Sequence, residues 1–347
     1  MSTNSDDRSS PAERVDKAAN KILFIGFLCN TDSSILKLKL GNGYRVKSMD
    51  EPAGIQHIAF AEKLPVDAIY ERLTISDPCL NVAEKKFYTV NKVFDAKLKA
   101  VENSANVRPD LTELVISLIV LEQKLRIVRL FREGDIRMPL AHAFYVDANR
   151  KVERVLRGFQ TNLFTSRVPF TLSEDELPKL QEFLKVTKLP FPKQFLRLAF
   201  SLFETSYTLR ERALSFLCLI ISMEVMYNTD TGKSVSKEVS KLCSLLFEHD
   251  ESEREHVSAS IREMYRKRVR MVHYGQTSSI SEEDLMLLRK YVRESIKEMN
   301  RRGLDKGELL KSLGQSGLHS LNAILRWVVL VPPGGLSNID QQFRSRV

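Results

Sequence analysis

The sequence predicts an α+β domain followed by an all-α helical bundle. Three observations indicate this order: strand-like stretches near the N-terminus, a proline-containing stretch at 188–195, and helical periodicity through nearly all of the chain after it. Hydrophobic residues make up 43% of the 347 residues and charged residues 28%, the balance of a globular protein with a buried core. We expect four segments: a disordered N-terminus (1–20), the α+β domain (21–190), the bundle (191–303), and a C-terminal helical extension and tail (304–347).

Short apolar runs open the α+β domain. Strand-like stretches lie at 21–28, 34–40 and 43–49. The turn Gly41-Asn42-Gly43 stands between the last two, and turns of this composition connect the strands of hairpins. The sequence therefore predicts a hairpin formed by 34–40 and 43–49.

A long amphipathic segment follows in the same domain. Residues 111–131 have the length and apolar spacing of a helix, and Gly134 is placed to end it. A strand is predicted again at 142–147. Ser173 and Glu176 have the spacing of a capping box at the start of a further helix. This alternation predicts an α+β domain, whose sequence shows neither a glycine-rich phosphate loop nor a metal-ligand cluster.

The pattern becomes helical after the prolines at 188–195. Residues 195–228 form one long helix or two joined helices, followed by a loop at 228–232. The last bundle helix begins at Ser281, where Asp284 completes an S-x-x-D cap. Four or more amphipathic helices with short connections are typical of a helical bundle. The intervening helices are predicted at 233–248 and 252–274, a short helix follows near 306–313, and the apolar stretch 321–331 is expected to dock on another surface.

Composition limits the classes of function. A net charge of +9 and a pI of about 9.3 favour phosphate-bearing partners or acidic surfaces. The four cysteines form no C-x-x-C pair, which argues against a structural zinc site and against a disulfide framework. We therefore expect no metal and no cofactor, and a reducing, cytoplasmic location.

The sequence predicts no membrane association. Residues 1–20 are polar and lack the apolar core of a signal peptide. The longest apolar run, 213–227, is shorter than a bilayer requires and contains Glu224. We interpret this run as a buried helix, in which the carboxylate of Glu224 is out of place.

The helix predicted at 252–274 carries a cation in an unusual position. On a helical wheel, Arg266, Lys267 and Arg270 fall on the polar side, as solvated charges should. Arg268 instead falls in the middle of the apolar face, where a guanidinium needs an anionic or hydrogen-bonding partner or lines a cleft. The apolar face consists of Val257, Ile261, Met264, Tyr265, Met271 and Val272.

His273 follows Arg268 by five positions, about 140° round an ideal helix. Gly275 marks the helix end, and a flexible last turn would bring the imidazole and the guanidinium to one ligand. A histidine that titrates near neutral pH can transfer protons, and an arginine can hold a phosphate with two hydrogen bonds. Glu224 is a natural partner for Arg268, so a purely structural ion pair between them is the alternative interpretation.

The stretch from Phe195 to Gly303 resembles the HEPN superfamily, most closely its Apea-like branch. The shared signature is R-x-x-x-x-H, formed here by Arg268, the residues VRMV and then His273. An apolar helix with ISMEVM around Glu224, and the later helix SVSKEVSKLCSLLF, support the resemblance.

The resemblance implies a HEPN-type bundle that pairs with a second copy about a two-fold axis. The two motifs would then face each other and form a composite, metal-independent endoribonuclease site. Arg268 and His273 would be its catalytic pair, with Glu224 as an orienting partner. Val269 and Tyr274 stand where the family pattern often has a polar residue and a glycine.

The implied activity is cleavage of RNA by its own 2′-hydroxyl, leaving a 2′,3′-cyclic phosphate, in a bacterial toxin or antiviral-defence effector. Arg266, Lys267 and Arg270 would hold the RNA backbone. The N-terminal domain would recognise a trigger ligand or protein. The alternative is a non-catalytic dimeric HEPN protein that binds nucleic acid or a partner protein.

Overall fold

The computed structural model describes residues 20–69, 80–100, 107–147, 149, 151–159, 168–228, 234–247 and 250–313. Its contacts divide the chain into two compact units. The first comprises the residues up to Pro190 together with Tyr207–Arg210, and the second comprises Phe191–Ser206 and the chain from Glu211 onward. The predictions for the N-terminal segment before Asn20 and for the stretch 321–331 lie outside the described residues.

The N-terminal unit is built on an antiparallel sheet. Its strands are β1 (Lys21–Cys29), β2 (Arg45–Asp50), β3 (Leu80–Asn81), β4 (Lys86–Asp95), β5 (Leu98–Ala100), β6 (Val107–Pro109), β7 (Arg137–Val146) and β8 (Val152–Phe159). Its helices are α1 (Glu51–Glu62), α2 (Thr112–Phe131) and α3 (Glu176–Val186), with a 3₁₀ helix at Ser33–Lys37 and helical residues at 66–69. The main sheet has the order β2-β4-β1-β7-β8, β3 also pairs with β4, and β5 pairs with β6.

Strand β1 lies in the middle of the sheet and is covered on both faces. Phe24 belongs to a core cluster that includes Leu125 of α2. Phe27, on the opposite face, belongs to a cluster that includes Ile58 of α1. Because both faces are buried from Phe24 onward, the strand sequence KILFIGFLC is apolar at nearly every position rather than at alternate ones.

The predicted hairpin is wrong, although its turn exists. Gly41 and Gly43 have the left-handed φ values +72° and +77° that the turn requires. The segment before the turn is the 3₁₀ helix Ser33–Lys37, begun by the carboxylate of Asp32, and Ile35 packs into the core. Strand β2 after the turn pairs instead with β4, far along the chain.

The second unit consists of helices. They are α4 (Gln194–Ser206), α5 (Arg212–Tyr227), α6 (Val235–Phe247), α7 (Glu251–Tyr274) and α8 (Glu282–Arg302), followed by helical residues 306–313. The stretch 195–228 is thus two helices, and the others agree with the predicted ranges to within a few residues. Helix α8 contacts the other four helices α4 to α7. The predicted α+β region followed by a helical unit is therefore confirmed.

Local hydrogen bonds position the helices of this unit. The hydroxyl of Ser281 accepts the Asp284 N–H at 3.2 Å, and the Asp284 carboxylate accepts the Ser281 N–H at 2.8 Å, so the predicted cap of α8 is confirmed. A buried hydrogen bond of 2.7 Å between the hydroxyls of Tyr227 and Ser295 joins α5 to α8.

Within the part of the chain that the structure describes, no helix is both long and apolar enough to cross a bilayer.

Candidate functional site

The predicted site lies at the C-terminal end of α7. This helix begins at Asp250, whose carboxylate accepts the N–H groups of Ser252 and Glu253 at 2.8 and 3.3 Å. It ends at Gly275, whose φ of +67° lets its N–H donate to the carbonyl of Met271. Regular helix therefore runs through the whole motif, and the negative end of the helix dipole favours cationic groups in its last turn.

Arg268 lies beside Glu224 of α5. The Nε of Arg268 is 3.8 Å from Oε1 of Glu224, and the two side chains are 32% and 24% exposed. This Nε is shielded from solvent and makes no hydrogen bond to any described residue. The distance allows electrostatic attraction but is too long for a hydrogen bond. Two of the three predicted catalytic residues, Arg268 and Glu224, are thus neighbours. The Nε–H of Arg268 remains able to donate to a ligand, or to Glu224 after a rearrangement of its side chain.

Tyr265 is a third polar group at this position. Its side chain is buried, and its hydroxyl has no hydrogen-bond partner among the described residues. Burial raises the pKa of Tyr265, and the nearby charge of Glu224 raises it further, so the phenol stays neutral at physiological pH. A buried hydroxyl without a partner is uncommon in folded proteins. The helical wheel identified Tyr265 only as an apolar contact, because its neighbour Glu224 comes from another helix.

His273 is exposed on the surface of the helical unit. Its ring lies 6.5 Å from that of Tyr274, and its nitrogens make no hydrogen bond to a described residue. The helix remains regular through Tyr274. Ideal helix geometry keeps His273 about 140° from Arg268. One protomer therefore does not bring the imidazole and the guanidinium to the same point.

The three cations predicted to contact RNA differ in their surroundings. Arg266 and Arg270 both donate to the carboxylate of Glu263, at 2.7 and 2.9 Å. The hydrogen bond from Arg266 holds the pKa of Glu263 below its ordinary value. Lys267 is only 20% exposed, and its Nζ contacts both carboxylate oxygens of Asp284 at 2.7 and 2.6 Å. The interpretation of Lys267 as a solvated charge was wrong, because its partner arrives from α8.

An exposed apolar patch lies beside the motif. It consists of Val269 and Val272, which lie one turn apart on α7 and are 42% and 50% exposed. Val272 is thus exposed, although the helical wheel places it on the apolar face of α7. The other five positions of the predicted apolar face are buried. Val269 and Val272 therefore leave apolar surface of α7 accessible to a second protein surface.

A second group of ionisable side chains, which the sequence analysis did not detect, lies in the N-terminal unit. His142 Nε2 is 2.8 Å from Glu62 Oε1 with both side chains buried, and Arg154 Nη1 is 3.7 Å from the same oxygen. The ring of His57 is 5.8 Å from that of His142. Burial and the neighbouring His142 lower the pKa of His57 to about 4. Helix α1 and strands β7 and β8 contribute these residues, so no local sequence pattern reveals the group.

Neither position has the arrangement of a metal centre. Among the described residues, no group of three or more histidine, cysteine, aspartate or glutamate side chains is placed to hold a metal ion.

Comparison with protein-family models, with curated proteins and with solved structures gives no match for this chain. The candidate site is therefore defined by its own chemistry: a shielded guanidinium beside a carboxylate and a neutral phenol, with an exposed imidazole one turn further on.

Proposed function

We propose that the chain is a metal-independent endoribonuclease of the HEPN type. The observation that carries this proposal is the position of Arg268, whose Nε is shielded beside Glu224 without a hydrogen bond. A partly buried charge is costly unless it is paired or used by a ligand. The exposed imidazole of His273 completes the R-x-x-x-x-H motif on the same helix.

The proposed reaction uses only groups of the protein and the RNA. The RNA 2′-hydroxyl attacks the adjacent phosphorus, so a bond from the 2′-oxygen forms while the bond to the 5′-oxygen breaks. A neutral His273 accepts the 2′-hydroxyl proton, and a protonated His273 gives a proton to the leaving 5′-oxygen. Arg268 stabilises the charge on the phosphorane, and Glu224 orients the guanidinium. The products are a 2′,3′-cyclic phosphate and a 5′-hydroxyl.

In this proposal a second copy of the chain completes the site. Pairing about a two-fold axis through the apolar patch would bury Val269 and Val272, which are exposed in one protomer. It would also place the His273 of each copy near the motif of the other. One imidazole could then act as the base while the other acts as the acid. The exposed arginines Arg266 and Arg270 are the proposed contacts to the RNA backbone, with Lys267 retained by Asp284.

The homodimer is tested by placing a charge in the apolar patch. We expect Val272→Asp to raise the dimer dissociation constant at least about tenfold, because burying an unpaired carboxylate costs several kcal/mol. Light scattering after size exclusion measures this as a shift from twice the 39.8 kDa chain mass toward a single chain. Val186→Asp, at another exposed valine, is the matched control and should leave the dimer intact. A wild-type chain that is monomeric at all accessible concentrations would contradict the dimer.

The activity is tested with the full chain and purified tRNA and mRNA in excess EDTA. We expect cleavage that is insensitive to the chelator and leaves 2′,3′-cyclic phosphate ends, because neither the nucleophile nor the acid and base require a metal. The ends are identified by their resistance to ligation until the cyclic phosphate is opened and the resulting phosphate is removed. Absence of cleavage, or cleavage that EDTA abolishes, would refute the proposed activity.

A non-catalytic dimeric protein of the same type is the second candidate. The ion pair between Arg268 and Glu224 favours it, since that contact occupies the guanidinium without any substrate. RNA or protein binding without cleavage in the chelator assay would select this candidate. If cleavage is found, the proposed role is a toxin or antiviral-defence effector. Unrestrained cutting of RNA would harm the cell that makes the protein, so the activity would need a trigger. The N-terminal unit is the proposed trigger domain.

A further inference from the structure

An open cleft lies on the face of the main sheet that carries α1. It has a volume of about 540 Å³, within the range of about 300–1,000 Å³ that is common for small-molecule sites. Leu23 of β1 and Val93 of β4, which pair across the sheet, line it together with Phe144 of β7. Leu23 and Val93 are 41% and 60% exposed, although they lie on central strands. The cleft therefore offers an apolar floor that the described residues leave accessible.

Two positive charges line one side of this cleft. Arg45 and Lys47 occupy alternate positions of the edge strand β2, so both side chains point to the same face of the sheet. Both side chains are exposed, and neither side chain makes a hydrogen bond or ion pair with a described residue. Lys92 also borders the cleft, but its ammonium lies on the opposite face, 4.2 Å from the centre of the Phe94 ring. The cleft therefore carries two cations without a counter-charge.

Polar groups able to fix an orientation also line the cleft. The Nε2 of His57 is shielded from solvent and has no hydrogen-bond partner among the described residues. Its lowered pKa, about 4, keeps the imidazole neutral at physiological pH, so it adds no charge there. The amide of Asn91 donates to the Thr89 hydroxyl at 2.8 Å, and its carbonyl oxygen accepts nothing from the described residues. An uncharged donor and acceptor thus accompany the two cations.

We infer that this cleft binds a nucleoside monophosphate. The two unneutralised charges of Arg45 and Lys47 match a phosphate dianion better than a single carboxylate. The apolar floor suits the flat face of a base, whose polar edge would meet His57 and Asn91. The volume of the cleft, about 540 Å³, suits one nucleotide rather than a polymer. The inference concerns the N-terminal unit alone and does not depend on ribonuclease activity.

The experiment measures binding of the four ribonucleoside 5′-monophosphates to the full chain by isothermal titration calorimetry, with thermal shift as a second readout. Adenosine and inorganic phosphate serve as the two separate parts of the ligand. We expect at least one nucleotide to bind more tightly than either part. The double variant Arg45→Gln/Lys47→Gln should weaken this binding at least about tenfold, because it removes both charged hydrogen-bond donors.

Two further variants make the result specific. Lys39→Gln/Lys97→Gln removes the same amount of charge from exposed positions outside the cleft and should bind like the wild type. Val93→Trp fills the cleft at an exposed position without changing the charge, and should also weaken binding. Both Arg45→Gln/Lys47→Gln and Val93→Trp retain the motif of α7, so binding there would be unaffected by them.

Three outcomes would overturn the inference. The first is that none of the four nucleotides binds. The second is that inorganic phosphate binds as tightly as the nucleotides, which would leave no role for the apolar floor. The third is equal loss of binding in the cleft variant and in Lys39→Gln/Lys97→Gln, which would indicate non-specific attraction to a basic protein. Each of these outcomes can be obtained whether or not the chain cleaves RNA.

Discussion

Replacing His273 by alanine is expected to lower chelator-resistant RNA cleavage by at least about 100-fold, since removing a general acid or base typically costs two to four orders of magnitude. His273 is exposed and makes no hydrogen bond to a described residue, so the substitution removes chemistry without opening a cavity. The free energy of unfolding should stay within about 0.5 kcal/mol of that of the wild type. Initial rates on tRNA, together with a urea unfolding curve, measure both quantities.

His256→Ala is the matched control for this prediction. His256 is also an exposed histidine on α7, but it lies near the other end of the helix, about 26 Å away along the axis at 1.5 Å per residue. Its loss should leave cleavage unchanged. Equal rates for wild type and His273→Ala would remove His273 from the mechanism. Equal losses in both variants would point instead to a general effect on α7 or on RNA affinity.

The second large effect concerns the fold of the N-terminal unit. Gly134→Ala is expected to lower the free energy of unfolding by about 3 kcal/mol or more, from backbone strain and overpacking together. Gly134 has a φ of +133°, and a Cβ there would lie 2.5 Å from Cα and 2.9 Å from N of Phe170. The obstacle is backbone, held by hydrogen bonds from Phe170 N–H to the Asn30 carbonyl and from the Thr31 hydroxyl to the Phe170 carbonyl, at 2.7 and 3.0 Å.

Gly303→Ala separates the two causes. Gly303 also has a positive φ, +67°, but nothing lies within 4 Å of the position that its Cβ would occupy. It should cost only about 1 kcal/mol, the usual difference for a left-handed position. Thermal melts should show a fall of about 6–12 °C for Gly134→Ala and a much smaller one for Gly303→Ala. Similar melting temperatures for the two variants would mean that the backbone at Phe170 moves away from the added Cβ without lowering the free energy of unfolding.

The elements that the sequence predicted well are those formed by neighbouring residues. The helices α2 and α6 to α8 follow from apolar spacing, and the cap of α8 follows from Ser281 and Asp284, which lie three positions apart. The predicted hairpin was wrong although the turn at Gly41 and Gly43 exists, because β2 pairs with β4, a strand far along the chain, rather than with the segment before the turn. A turn sets the direction of the chain, whereas pairing depends on which strand the core places alongside.

In the candidate site, too, some features could be predicted from the sequence and others could not. The misfit of Arg268 on an apolar face and of Glu224 in an apolar helix was visible from the sequence, because burial without a partner is unfavourable for either charge. The environment of Lys267 was not visible, since its partner Asp284 belongs to another helix. The same holds for His142 and Glu62, which are 80 positions apart and meet only across the sheet.

The sequence by itself determined where α2 and α6 to α8 lie, how α8 is capped, and which two charged side chains require an explanation. Only the tertiary structure decided that β2 pairs with β4, that Lys267 is held by Asp284, and that His273 faces solvent rather than Arg268. It also assembled the cleft beside Arg45 and His57 from four strands and a helix. The physical reason is range: helical periodicity and caps depend on bonds between near neighbours, whereas ion pairs and clefts depend on which distant surfaces the core brings together.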